Sequence, residues 1–306
     1  MIGRRAAIAG GLAAGATLAA RARADKATVK IGNTMPYSGV ASSYAPIGWT
    51  DAAFFKMLNE QGGVGGPQIE FISLDDAASP PRTVEDVRRM VEQDRVDFLF
   101  NTLGTPSNTA IEPYCDHNKI PQLFVATGAD KWGDYQKYPW TIGFQPSYRT
   151  EAQIYAKYTL RTKPAAKIAI MYQNDDFGKD YVAGVRDVLG KDWDRHVVKT
   201  ASYEVTDPTV DSQVESLQAS GADALIAGAS PKAAVQTIRR VHSLGWQPLF
   251  FLSNVSLSVA SVMRPAGAQS GIDIISSGWL KDPTDPDFKN DPGMNEWRAF
   301  MARYMP

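Results

Sequence analysis

Four short stretches carry the residue types that do chemistry. Asp75-Asp76 and Asp175-Asp176 are paired carboxylates in loops after apolar, strand-like runs. Such pairs can share acid–base work or hold a cation. Placed just before Ser79-Pro80-Pro81 and Phe177-Gly178, they read better as turn and helix-cap residues. Cys115-Asp116-His117 joins a thiol to an imidazole, but adjacent helical residues do not share a face, so the spacing predicts a core cysteine and a surface histidine. Leu103-Gly104-Thr105-Pro106-Ser107-Asn108 ends a buried run and opens a helix. Its hydroxyls and the free N–H groups of a first helical turn suit an anion, above all a carboxylate. Simple capping by Thr105 or Ser107 is the competing reading.

The motifs of several enzyme classes are missing. No G-x-G-x-x-G follows a strand, and there is no G-x-x-x-x-G-K-[ST] or G-x-S-x-G. The Gly62–Gly66 cluster follows a helix and reads as a turn. His117, His196 and His242 have no ligand spacing, and Cys115 stands alone, so neither a metal site nor a disulfide is predicted. The Pro- and Asp-rich stretch 281–293 reads as a surface loop rather than a site. No catalytic residue, cofactor or metal is expected.

The elements that must position these groups alternate along the chain. Strand-like runs at 28–34, 68–74, 96–101 and 122–126 alternate with amphipathic helical runs at 48–61, 79–91 and 107–118. The cycle restarts with a helix at 150–161. Strands then fall at 167–173, 197–204, 222–227, 249–252 and 272–276, and helices at 178–189, 210–219 and 232–244. This alternation predicts an α/β chain of two doubly wound parallel-sheet lobes joined near 143–148. Val96–Asn101 reads as a strand buried on both faces. In such sheets ligands sit beyond the carboxyl ends of strands. The candidate loops, 35–46, 103–107, 127–132, 174–178, 228–231 and 253–256, are small, polar or aromatic and suit a small organic molecule.

Composition narrows the class. The 306 residues are 44% hydrophobic, with 32 basic and 33 acidic side chains. That balance argues against nucleic acid as a partner. Residues 1–24 have a basic start at Arg4-Arg5, an Ala/Gly-rich stretch and Ala22-Arg23-Ala24 before Asp25: the plan of an export signal. The adjacent arginines point to the twin-arginine route. Cleavage after Ala24 removes four arginines and no acid, leaving 282 residues and shifting the net charge from −1 to −5. A periplasmic, soluble monomer is expected.

The mature start, V-K-I-G-N-T-M-P-Y-S-G-V-A-S-S-Y, is followed by G-W-T-D-A-A-F and N-E-Q-G-G-V-G-G, and further on by D-D-F-G-K-D-Y and S-P-K-A-A-V-Q-T-I-R-R. Together these resemble the leucine/isoleucine/valine-binding class of periplasmic substrate-binding proteins, which serve ATP-driven importers. L-G-T-P-S-N-T-A-I, Q-L-F-V-A-T-G-A-D-K-W and Y-Q-N-D-D-F-G-K-D-Y look most like members associated with aromatic or other hydrophobic acids. The resemblance implies a first lobe over 25–146 plus 278–306, a second over 147–277, three crossovers and a hinge that closes on the ligand. It also implies a membrane permease as partner. Carried over by position, Tyr44 resembles an aromatic wall residue, Thr105 with Ser107 the carboxylate hydroxyls, and Ala126, Thr127 and Gly128 the groups at the ligand's polar end. Trp132 and Phe177 fall as aromatic neighbours, and Asn254 where amino-acid binders carry an acid.

Two departures follow from the comparison of motifs. Asn254 replaces that acid and Pro231 replaces a tyrosine of several members. A buried ammonium without an anion is costly, so the ligand expected is a small carboxylate lacking a free amine, aromatic or hydrophobic; an amino acid remains the alternative through Asp175 or Asp176. Family members also run further by resemblance, so the C-terminal part of the first lobe is expected to be missing and apolar surface exposed there. A receptor's ligand-sensing domain and a hydrolase or amidase on a similar frame are the other readings, the last lacking a visible nucleophile–base pair.

Overall fold

The computed structural model describes residues 28–305, and the export-signal reading of residues 1–24 lies outside them. The first lobe contains β1 (Thr28–Met35), α1 (Ala45–Glu60), β2 (Gln68–Asp75), α2 (Pro80–Arg89), β3 (Phe98–Phe100), α3 (Thr105–Asn118), β4 (Gln122–Val125) and β5 (Thr141–Gly143). The second contains α4 (Tyr148–Thr162), β6 (Ile168–Gln173), α5 (Asp176–Leu189), β7 (Val197–Tyr203), α6 (Asp211–Ala219), β8 (Ala224–Gly228), α7 (Pro231–Ser243), β9 (Leu249–Leu252) and β10 (Ile275–Ser276). Pairing is parallel throughout both sheets. The strand orders are β2-β1-β3-β4-β5 and β10-β9-β8-β6-β7. Read from the other edge, the second order repeats the first. Each lobe therefore has its topological switch beside its first strand, where a crevice opens beyond the strand ends.

Burial explains the second lobe. β6 and β8 are buried almost without interruption, as strands covered on both faces must be. Met171, Leu225 and Leu252 pack with α6 and α7 on one side. Ile168, Ile170, Ile226 and Phe251 pack with α4 and α5 on the other. Asp175 caps α5 by accepting from the Gly178 N–H, the capping role its position predicted.

The first sheet is covered unequally. Leu99 packs with Val87, Met90, Ile111 and Cys115 beneath α2 and α3. On the other face Phe55 of α1 reaches Phe71 and Phe100, but Phe124, Ile142 and Phe144 stay exposed. The expectation of a β3 buried on both faces is corrected accordingly: of Phe98–Phe100 only Leu99 is buried, since helices pack fully against one face alone among the described residues. A register shift in the β4–β5 pairing accompanies a left-handed Phe124 (φ 55°), a costly conformation for a bulky residue. After β10 the chain returns, and α8 (Pro292–Tyr304) lies on α1 through Phe300 against Phe54. Among the described residues no helix is long and apolar enough to cross a membrane.

Candidate functional site

A cleft of about 500 Å³ opens between the lobes, beyond the carboxyl ends of both sheets. Its walls come from Tyr44, Thr105, Ser107 and Ala126 on one side and Phe177 and Asn254 on the other. A hydrogen bond already spans it: Tyr44 Oη donates to the Val255 carbonyl at 3.3 Å. Tyr44 is partly buried, and desolvation above all holds its pKa well above the ordinary phenol value, so the hydroxyl acts as a neutral donor.

The first-lobe wall is built around the start of α3. Gly104 turns the chain at φ 99°, a region that glycine alone enters freely. Asn108 fixes that turn, donating from Nδ2 to the carbonyls of Thr102 and Gly104 and accepting from Thr102 Oγ1. Thr105 Oγ1 and Thr127 Oγ1 lie 2.6 Å apart, and Thr127 Oγ1 also accepts from the Ala129 N–H. Thr127 can therefore donate to Thr105, which frees the Thr105 O–H to donate into the cleft. Behind it Thr83 Oγ1 is 2.9 Å from both Ser107 Oγ and the buried Asp76 carboxylate, whose pKa burial raises against its hydrogen bonds. The open end of a helix plus an outward hydroxyl is an anion acceptor.

The second-lobe wall is aromatic at the start of α5 and polar at the end of β9. Phe177 stands edge-on to Tyr148 (centroids 4.8 Å apart) and Tyr181 (5.6 Å). Asn254 is held by Glu151, a carboxylate 4% exposed in the first turn of α4. Glu151 Oε1 accepts from Tyr155 Oη and from the Asn254 backbone N–H (2.9 Å). Its Oε2 accepts from Tyr181 Oη (2.7 Å) and from Asn254 Nδ2. Burial, and then the Glu151 charge, push the Tyr155 and Tyr181 hydroxyls far up, which keeps them neutral donors.

Six of the nine predicted residues meet in the cleft: Tyr44, Thr105, Ser107, Ala126, Phe177 and Asn254. Thr127 stands behind Thr105, and the Gly128 carbonyl accepts from the Tyr148 N–H. Trp132 is corrected: it is 4% exposed, packed with Val125 and Tyr138 away from the cleft. Its four-residue turn points the indole into the lobe because that is where apolar cover exists. The stretch read as mere surface loop is also corrected, since Lys281–Thr284 line the cleft rim with Trp279 and Leu280. Cys115 is buried, its thiol pushed up to about 12 by burial and then by Glu112, which makes it inert; His117 is exposed. Sequence reasoning missed Tyr148, which lines the cleft, and Glu151, which stands behind it. An acid in a polar first turn looks like an ordinary helix-dipole residue. The sequence reading looked to Asp175 or Asp176 for a charge near Asn254, whereas the acid that contacts Asn254 is Glu151. Among the described residues, no cluster of His, Cys, Asp and Glu could hold a metal.

Comparison with known proteins agrees with this geometry. The profile of the family described as "Periplasmic binding protein" matches residues 28–306. An "Amino acid binding protein" of Pseudomonas aeruginosa is 23% identical over 225 residues, covering 72% of this chain and 58% of that protein. The "Leucine-specific-binding protein" of Salmonella typhimurium is 24% identical, covering 69% and 59%. The chain thus spans less than three-fifths of the length of these two relatives. A substrate-binding periplasmic protein of known structure from Ralstonia solanacearum superposes with a TM-score of 0.81 at 22% identity, over 90% of this chain and 76% of that one. At that identity the likeness concerns the fold: two parallel-sheet lobes around a cleft.

Proposed function

Because the chain belongs to the periplasmic binding protein family, we propose that it is a periplasmic solute receptor that closes on a small carboxylate with an apolar body and hands it to the membrane permease of an ATP-driven importer. The observation that carries this reading is the pairing of an anion acceptor, Thr105 at the start of α3, with aromatic faces from Tyr44 and Phe177 around one cleft. The carboxylate would take the Thr105 hydroxyl and the first α3 N–H groups, while Tyr44, Tyr148 and Phe177 cover the apolar body. Binding energy would go into closing the lobes rather than into bond making. An aromatic or hydrophobic acid suits these walls.

The second reading is a hydrophobic amino acid. It is favoured by the buried Glu151 behind Asn254 and by the names of the two curated relatives. A thermal-shift screen of phenylacetate, benzoate, leucine, isoleucine and phenylalanine tests both. A saturating ligand at a hundredfold its Kd adds about 2.7 kcal/mol of stability. Plain acids raising Tm most supports the first reading, and amino acids the second. No shift with any compound overturns the carboxylate reading. Recovery of each compound unchanged after incubation is expected of a receptor, and turnover would point to an enzyme.

A further inference from the structure

We propose that the cleft has a second, apolar half along residues 257–260 and 279–283, and that this half selects an acid whose body is longer than one ring or one branched side chain: a medium-chain carboxylate. This rests on the carboxylate reading above and adds the length of the ligand's other end.

Three observations carry it. The first is room. About 500 Å³ remains between the lobes although three hydrogen bonds already join them: Tyr44 Oη to the Val255 carbonyl (3.3 Å), Lys131 Nζ to Asp176 Oδ2 (2.8 Å) and the Asp130 N–H to Asp180 Oδ2 (2.8 Å). Sites of about 300–1,000 Å³ enclose drug-sized ligands. The second is exposure. Val259, Trp279 and Leu280 line the cleft yet are 37%, 36% and 68% exposed, whereas Thr105 and Ser107 at the start of α3 are buried. Single exposed apolar side chains are ordinary on a surface. Three that line the cleft holding the anion acceptor make an apolar wall open to a ligand. Phe144 holds Trp279 edge-on (centroids 5.2 Å apart), so that ring is a fixed part of the wall.

The third observation is charge. Among the described lining residues only Lys281 and Asp282 are charged, and both are already engaged. Lys281 pairs with Asp291, and Asp282 accepts from the Thr284 N–H and Oγ1. Gln173 likewise spends its amide on Asp175 and Tyr203. The far end of a ligand lying along 279–283 therefore meets apolar surface and no unpaired charge. Each methylene taken fully out of water adds about a factor of four in affinity, and less where the wall is open on one side. The anion acceptor serves acids of every length, so chain length alone reads out the second half.

The test is isothermal titration calorimetry on the full chain with butanoate, hexanoate, octanoate, decanoate and phenylacetate. Affinity is expected to rise about two- to fourfold per methylene, so that decanoate binds at least about fiftyfold tighter than butanoate. Leu280→Ser combined with Val259→Ser should cut the decanoate-to-butanoate ratio at least about fivefold. Ile142→Ser, at an exposed apolar side chain outside the cleft, should leave that ratio unchanged. Affinity that stops rising at hexanoate overturns the proposal. So does a ratio untouched by the paired substitution in a variant that melts cooperatively. A ratio that falls as far with Ile142→Ser overturns it too, by placing the chain on the open face of the first sheet. Binding by none of the acids, phenylacetate included, overturns instead the carboxylate reading on which the proposal rests. Decanamide binding as tightly as decanoate overturns that reading as well, and leaves the apolar half in place.

Discussion

Lys131 of the first lobe and Asp176 of the second meet between the lobes at 2.8 Å. Lys131 Nζ also donates to Thr109 Oγ1 (2.6 Å) and lies over the Trp132 ring, so contacts within its own lobe help to hold it. Asp176 is half exposed, which limits the pair's strength and makes it sensitive to salt. Asp176→Asn should therefore weaken ligand affinity modestly, about two- to fivefold at low ionic strength. The deficit should shrink toward nothing in 0.5–1 M salt, near the shortest screening length. Titrations of the two proteins at both salt levels check this. An effect equal at both would mean the pair does not act as an electrostatic latch.

Tyr44 closes the other side by donating to the Val255 carbonyl. Tyr44→Phe keeps the ring against the ligand and removes that one bond. A neutral hydrogen bond is worth about 1 kcal/mol, so affinity should fall about fivefold, mostly as faster release. Tyr44→Ala also removes the aromatic wall and should cost about a hundredfold. Stopped-flow dissociation separates the two. Equal losses in both variants would show that the hydroxyl, not the ring, carries the contribution.

Between the lobes Asp180 Oδ2 accepts from the Asp130 N–H at 2.8 Å. Burial above all, with the Asp130 and Asp176 carboxylates adding, pushes Asp180 up to about 6 from an ordinary 3.8. Burial does the same to Asp51, also to about 6, against the hydrogen bond it takes from Asn101 Nδ2. A carboxyl whose folded pKa is raised favours the folded state below its unfolded value and loses that stability as pH rises through the folded one. The cost of each residue therefore builds between about pH 4 and 6.5 and is fully present above that, on the order of 2 kcal/mol each after discounting for solvent screening. Asp180→Asn still accepts from the Asp130 N–H. It should unfold at urea concentrations equal to or above wild type at pH 7.5, with the difference vanishing near pH 4. A variant less stable than wild type at pH 7.5 would refute this assignment.

The sequence carried the lobes more fully than the site. Continuous apolar runs such as Ile168–Gln173 and Ala224–Gly228 read as strands buried on both faces, and helices do cover both faces of the second sheet, whereas the same signal at Val96–Asn101 misled because one face of the first sheet is left partly open. Asp175 and Thr105 were legible because caps and helix starts are local signals. Trp132 was not: whether an aromatic turns to a cleft or to a lobe interior depends on what covers it, which no local pattern encodes. Glu151 was hidden for the same reason. Its partners Tyr181 and Asn254 lie 30 and 103 residues away. The cleft rim at Lys281–Thr284 belongs to a segment whose composition is that of any solvated loop, and only the return of the chain between lobes brings it there.

Leu99 and Phe124 sit on adjacent strands of the first sheet but under opposite conditions. Leu99 is fully buried beneath α2 and α3, and Leu99→Ala should cost about 2–5 kcal/mol. Phe124 is 43% exposed and left-handed, so Phe124→Gly removes a backbone strain of about 1–2 kcal/mol together with a partly solvated ring. Phe124→Gly should unfold within about 0.5 kcal/mol of wild type or above it. Urea denaturation of both variants decides. A loss with Phe124→Gly as large as that with Leu99→Ala would mean that its contacts with Phe100 and Phe144 outweigh the strain.

Gly104 ties the fold to the anion acceptor. A Cβ there would meet nothing closer than Ser107 Cβ at 3.9 Å, so space is not what selects glycine. The φ of 99° is, because an L side chain is strained there by about 1–3 kcal/mol. Gly104→Ala can escape only by rotating the peptide before Thr105, which breaks the Asn108 Nδ2 bond to the Gly104 carbonyl and turns the Thr105 hydroxyl away. Stability should fall by about 1–2 kcal/mol and carboxylate affinity by about tenfold or more. Asn108→Ala is the matched control. It leaves the φ requirement in place and removes the amide that holds the turn, so it should reproduce the affinity loss. Calorimetric titration and thermal melts of both variants test this. If Gly104→Ala lowers Tm and leaves affinity unchanged, the start of α3 is not where the carboxylate binds.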